Sequence, residues 1–93
     1  MNNEDITTAM RELAGLEALA ADPYGEYSTR ARHAADRLKP LIPFDVPAAK
    51  SAPDPMEAAG RLDALWRSLA ARHEWSDAQR VNKALADLTE VGR

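Results

Sequence analysis

The side chains best suited to acid–base or metal chemistry near neutral pH are two histidines, His33 and His73. They fall in different segments of the chain, and His33 has no second histidine at helical spacing. His73 has Asp77 four residues on, but a break between helices is expected to intervene. His73 also lies on an apolar stripe near a predicted helix C-terminus, where packing and the negative end of the helix dipole account for it. The chain has no glycine-rich phosphate loop, no H-E-x-x-H and no nucleophile elbow. Cysteine is absent, which excludes disulfides and thiolate metal sites. The carboxylates are numerous, but each has a structural role as cap, dipole partner or surface pair. No convergent acid, base and nucleophile set emerges, so no catalytic, cofactor-binding or metal-binding residue is assigned and the chain reads as non-enzymatic.

A second set of residues suits binding. Ser76, Gln79, Arg80, Asn82 and Lys83 stand near the start of a predicted helix that follows a short corner at His73-Glu74-Trp75. Two helices joined in this way have the form of a helix-turn-helix, and Gln79, Arg80 and Lys83 are suitable contacts for bases and phosphates. Against this, the corner lacks the usual glycine, Asp77 would approach the phosphates, and the net charge is −3 at pH 7. Apolar residues offer another kind of surface. Leu19 lies off the main stripe of its helix, Leu41, Ile42 and Phe44 cluster between prolines, and Trp75 sits at the corner. These five are the candidate partner-binding residues.

The elements that position these groups are helical. β-branched residues are scarce, which argues against a sheet. Asn3 is a suitable cap for a first helix, with Glu4 and Asp5 at its positive end and Ile6, Ala9, Met10, Leu13, Leu16 and Ala20 on one face. Gly15 interrupts this helix, either as a defect of propensity or as a point of close helix approach. Asp22-Pro23-Tyr24-Gly25 reads as a type I turn. A second helix follows to about Lys39, with Tyr27, Ala31, Ala34, Ala35 and Leu38 inward and Arg30, Arg32, His33, Asp36 and Arg37 outward.

The segment 40–54 holds Pro40, Pro43, Pro47 and Pro53 and is expected to be extended. It either packs across the helices as a strap or is exposed as a docking ligand, since Pro40-x-x-Pro43 has the PxxP spacing. Asp54-Pro55-Met56-Glu57 then starts a third helix with a capping box and proline at its first position. Its stripe is Ala58, Leu62, Leu65, Trp66, Leu69 and His73, and its outer face pairs Glu57 with Arg61 and Asp63 with Arg67. Ser76-Asp77-Ala78-Gln79 gives a second capping box. It opens a fourth helix to Val91, with Ala78, Val81, Leu85 and Leu88 inward and Gly92 as terminator.

The expected fold is therefore an all-α, four-helix single domain: a helical hairpin at 1–39, a proline-rich crossover at 40–54 and a second hairpin at 55–93. An alanine-rich core buries little area per residue at about 25 cal/mol per Å², which favours completion by a second copy as a homodimer. No signal peptide or membrane-spanning run is apparent, and a cytoplasmic location is expected. The leading function expected is a non-catalytic protein-binding module, a small regulator or adaptor of the size common among phage and mobile-element accessory proteins. The alternatives are a helix-turn-helix DNA-binding regulator using the 76–91 helix, and a structural assembly component.

Overall fold

The computed structural model describes residues 1–89. They form α1 (Asn3–Ala20), α2 (Ser28–Leu38), α3 (Pro55–Ala71) and α4 (Trp75–Thr89), with a 3-10 turn at Lys39–Leu41 and no strand among the described residues. The expected end of the fourth helix at Val91 and its terminator Gly92 lie outside the described residues. The helices pack in a ring: α1 beside α2, α2 beside α4, α4 beside α3, and α3 back beside α1. One contiguous core fills the ring. Leu16, Leu38, Leu62, Leu69, Val81 and Leu88 are its largest fully buried side chains. Each buried leucine contributes roughly 1.5–3 kcal/mol by leaving water. Ala31, Ala34 and Ala35 are wholly buried on α2, so this helix approaches its neighbours largely on methyl groups.

Local signals explain most boundaries. The Asn2 side chain, one residue earlier than expected, caps α1 by accepting from the Asp5 N–H at 2.8 Å. Asp54 caps α3 by accepting from the Met56 N–H at 2.8 Å, with Pro55 in the first turn. The Asp22 turn closes twice: its carbonyl accepts from the Gly25 N–H at 3.2 Å and its Oδ1 from the Tyr24 N–H at 3.0 Å. The expected capping box at Ser76 is not used. Helix α4 begins earlier, at Trp75, and the Glu74 carbonyl accepts its first bond, from the Ala78 N–H at 2.9 Å.

The inward face of α1 differs from the expected one. Asp5 and Glu12 are buried, whereas Ile6 and Met10 are only partly covered. Arginines of α3 and its C-cap cause this rotation. Arg61 Nε donates to both Glu12 carboxylate oxygens at 3.1 Å, and the Arg72 guanidinium pairs with Asp5. These pairs, the start of α1 to the end of α3 and the middle of α1 to the first half of α3, run the two helices antiparallel. Arg61 thus serves Glu12 in preference to its expected partner Glu57, whose carboxylate is 3.9 Å away. Burial pushes the Glu12 carboxyl above its ordinary range, against the opposing pull of Arg61.

The crossover packs as a strap. Lys39 to Leu41 first continues α2 as a 3-10 turn, with Pro40 placed where no N–H partner is needed, so the extended run begins only at Ile42. Ile42 is buried, and Leu41 and Val46 pack partly against the core. The Ala49 N–H donates to the Ala14 carbonyl at 3.0 Å, which pins the strap to α1. Gly15 lies at the contact: a Cβ there would stand 3.1 Å from Pro53 Cγ. The close approach at this glycine is thus made by the strap and not, as expected, by another helix.

Candidate interaction site

The corner between α3 and α4 is built by the backbone. The His73 N–H donates to the Ala70 carbonyl at 3.0 Å, and the Glu74 N–H reaches the Leu69 carbonyl at 3.0 Å. This is the Schellman pattern of helix termination, with His73 in the position that usually holds glycine. His73 has φ 61°, the left-handed conformation, and it is the non-glycine residue with positive φ among those described. The expected place of His73 on the buried stripe is therefore corrected. The left-handed turn ends the helix just before it and swings the imidazole out, where the side chain is exposed. Its ring stacks on Trp75 with centroids 5.8 Å apart.

Trp75 opens α4 and is 63% exposed. Trp66, on α3, is partly buried. Its indole N–H donates to Asp63 at 2.9 Å, and the Arg67 guanidinium lies 5.3 Å from its ring centre. Arg67 also donates to Asp63 at 2.9 Å, and these two hydrogen bonds, that of Arg67 first, hold the Asp63 carboxyl below its ordinary range. Trp66 is thereby fixed in orientation from both sides. Between the two tryptophans runs a groove of about 280 Å³, floored by Ala70 and Ala78 and edged by Gln79 and Asn82. The small alanines leave room that the indoles frame.

The expected partner-binding residues separate into three groups. Trp75 lines this groove. Leu19 and Ile42 belong to the core, at 9% and 6% exposure, and Ile42 shows only an edge to the hollow that Phe44 also lines. Leu41 packs partly against the core, while Phe44, half exposed, lines a different hollow of about 560 Å³ between the strap and α1. That hollow is rimmed by Glu17, Lys39 and Asp45, and Glu17 is taken up by Arg32 at 3.0 Å and Lys39 at 3.3 Å.

The expected nucleic-acid contacts Gln79, Arg80 and Lys83 are exposed on α4. With Ser76 they line a small groove of about 130 Å³ whose far wall is Arg37 of α2. Arg37 Nε donates to Asp87 at 2.9 Å. Arg80 and Lys83 make no ion pair among the described residues. Helical periodicity puts Arg37 on a solvated face; its partner is fifty residues away, and no local spacing signals the contact. Among the described residues, no cluster of three metal-ligating side chains forms. No helix among them is long and apolar enough to cross a membrane. No protein family matches the chain, and comparison with curated proteins and with solved structures finds no match.

Proposed function

We propose that this chain is a non-catalytic protein-interaction module, a small regulator or adaptor that grips a larger partner through the groove between α3 and α4. The observation that supports this reading is Trp75: a large aromatic side chain, 63% exposed, held over an apolar groove by a fixed corner. Tryptophan at the centre of an interface carries a large share of binding energy, and a positioned one loses little entropy on docking. Truncating such a residue costs about 2 kcal/mol or more, roughly thirtyfold in affinity.

The test is affinity capture from lysate with and without nuclease, using wild-type and Trp75→Ala baits. A partner that survives nuclease and disappears with Trp75→Ala supports the reading. A partner indifferent to Trp75→Ala removes the groove from consideration. Recovery of nucleic acid, weakened by salt and lost on changing Arg80 and Lys83 to alanine, would favour the DNA-binding alternative instead. Self-association is a separate outcome, read by light scattering: a dimer that Trp75→Ala dissolves assigns the groove to a second copy.

A further inference from the structure

The apolar groove and the basic groove adjoin. Trp75, Ala78, Gln79 and Asn82 line the first, at positions i, i+3, i+4 and i+7 of α4. Ser76, Gln79, Arg80 and Lys83 line the second, with the same spacing moved one residue along the helix. Gln79 belongs to both. The two stripes are therefore about 100° apart around one helix, and each is about 10 Å long at 1.5 Å per residue. On a helix about 11 Å across with its side chains, their centres are separated by about 8 Å.

The charge of the second stripe is uncompensated. Arg80 and Lys83 have no carboxylate partner among the described residues, whereas Arg37, which walls the groove from α2, is paired with Asp87. Of the acids near this region, Asp87 is engaged by Arg37 at 2.9 Å, and Asp77 makes no ion pair with Arg80 or Lys83. On a chain whose formal charge is −3, this local excess of cations beside an apolar slot selects for an anionic ligand that also carries an apolar group.

We propose that the partner segment received here is an acidic peptide. One apolar side chain seats between Trp66 and Trp75, and a carboxylate two or three residues away in the extended peptide meets Arg80 and Lys83. The spacing follows from the separation of the stripes, about 8 Å, and about 3.3 Å per extended residue. This inference rests on the docking reading above and adds the chemistry of the partner to it. A long polyanion fits less well, because the charge of the whole molecule opposes it beyond the immediate groove.

Selection from a random peptide display library tests the proposal, with wild-type protein, Trp75→Ala and an Arg80→Glu/Lys83→Glu double variant as baits. Both basic side chains are exposed, so the double variant is expected to keep the wild-type thermal melt. The expected result is enrichment of peptides with an apolar residue and an Asp or Glu two or three positions from it. Synthetic copies should bind the double variant at least about tenfold more weakly, the equivalent of one charge-assisted contact. Replacing the peptide's acid by its amide should weaken binding to the wild type similarly. Peptides that need Trp75 but show no acid, and that ignore the charge reversal, overturn the inference while leaving the docking site intact. If no enriched peptide depends on Trp75, both readings fail. Tight binding of a short DNA duplex that is abolished in the double variant would also overturn the acidic-peptide proposal.

Discussion

Replacing His73 tests the corner that aims Trp75. His73 holds φ 61° at the residue where the chain leaves α3. A side chain with Cβ costs about 1–2 kcal/mol in this region, a penalty that glycine escapes. Glycine in turn loosens the unfolded chain, which removes about 0.4–1 kcal/mol. The stack on Trp75, with rings 5.8 Å apart and both side chains exposed, is worth about 0.5 kcal/mol at the lower end for aromatic pairs. Alanine and glycine both lose this stack, so their comparison isolates the backbone. His73→Gly should be more stable than His73→Ala by about 1 kcal/mol, or about 4–8 °C in Tm for a domain of this size. Against the wild type, the alanine variant should fall slightly and the glycine variant should match or exceed it. Thermal melts followed by far-UV circular dichroism read the difference. An alanine variant as stable as the glycine variant would refute the left-handed corner, and with it the argument that Trp75 is held in a fixed direction.

Other consequences follow from the same packing. Gly60 lies on the exposed face of α3, and a methyl added there would have no neighbouring atom within 4 Å, so Gly60→Ala should stabilise by about 0.5–1 kcal/mol in a urea titration. Gly15→Ala should gain less or lose, because its methyl meets Pro53 at 3.1 Å, and a gain equal to that at Gly60 would show that the strap yields freely. Leu69→Ala, at a wholly buried position, should cost about 2.7–5 kcal/mol, seen as a large drop in the urea midpoint. Glu12 gives a pH signature. Its carboxyl is raised above 4.5 by burial, so the folded protein holds that proton more tightly than the unfolded chain. The associated stability is complete below the unfolded value and is lost as pH rises through the folded one. Glu12→Gln should remove that loss, so the difference in Tm between variant and wild type should shift in the variant's favour as pH rises across this window. A difference that stays flat with pH would contradict it.

The pattern of leucines and alanines announces an all-helical chain, and short-range signals such as Asp54-Pro55 and Asp22-Pro23-Tyr24-Gly25 mark a cap and a turn correctly. These succeed because the hydrogen bonds involved span two to four residues. Sequence patterns mislead where distant residues compete. Arg61 has an obvious helical partner in Glu57, yet Glu12 of another helix takes it, and this pulls a carboxylate into the face that spacing alone gives to Ile6 and Met10. Ser76 has the sequence of a cap, but the left-handed turn at His73 starts α4 before it is reached. Of the candidate site, Trp75, Gln79, Arg80 and Lys83 are legible as exposed residues of suitable chemistry. Leu19 and Ile42 are not distinguishable from surface residues by sequence, because the groups that cover them come from elsewhere in the chain. The basic groove is half legible, since Arg37 reaches it only through the packing of α2 on α4.

The methyl-lined seat of α2 has a kinetic meaning. Its buried face offers Ala31, Ala34, Ala35 and Leu38, and no side chain caps its N-terminus. Eleven residues are too few to persist as an isolated helix, so α2 holds its shape only while seated. Its amide protons should exchange with deuterium sooner than those of α3, whose leucines anchor it and whose first turn is capped. Each such opening carries Arg37 away from Arg80 and Lys83, so the cationic wall would breathe on the timescale of a single helix lifting and reseating, while the indole pair stays assembled.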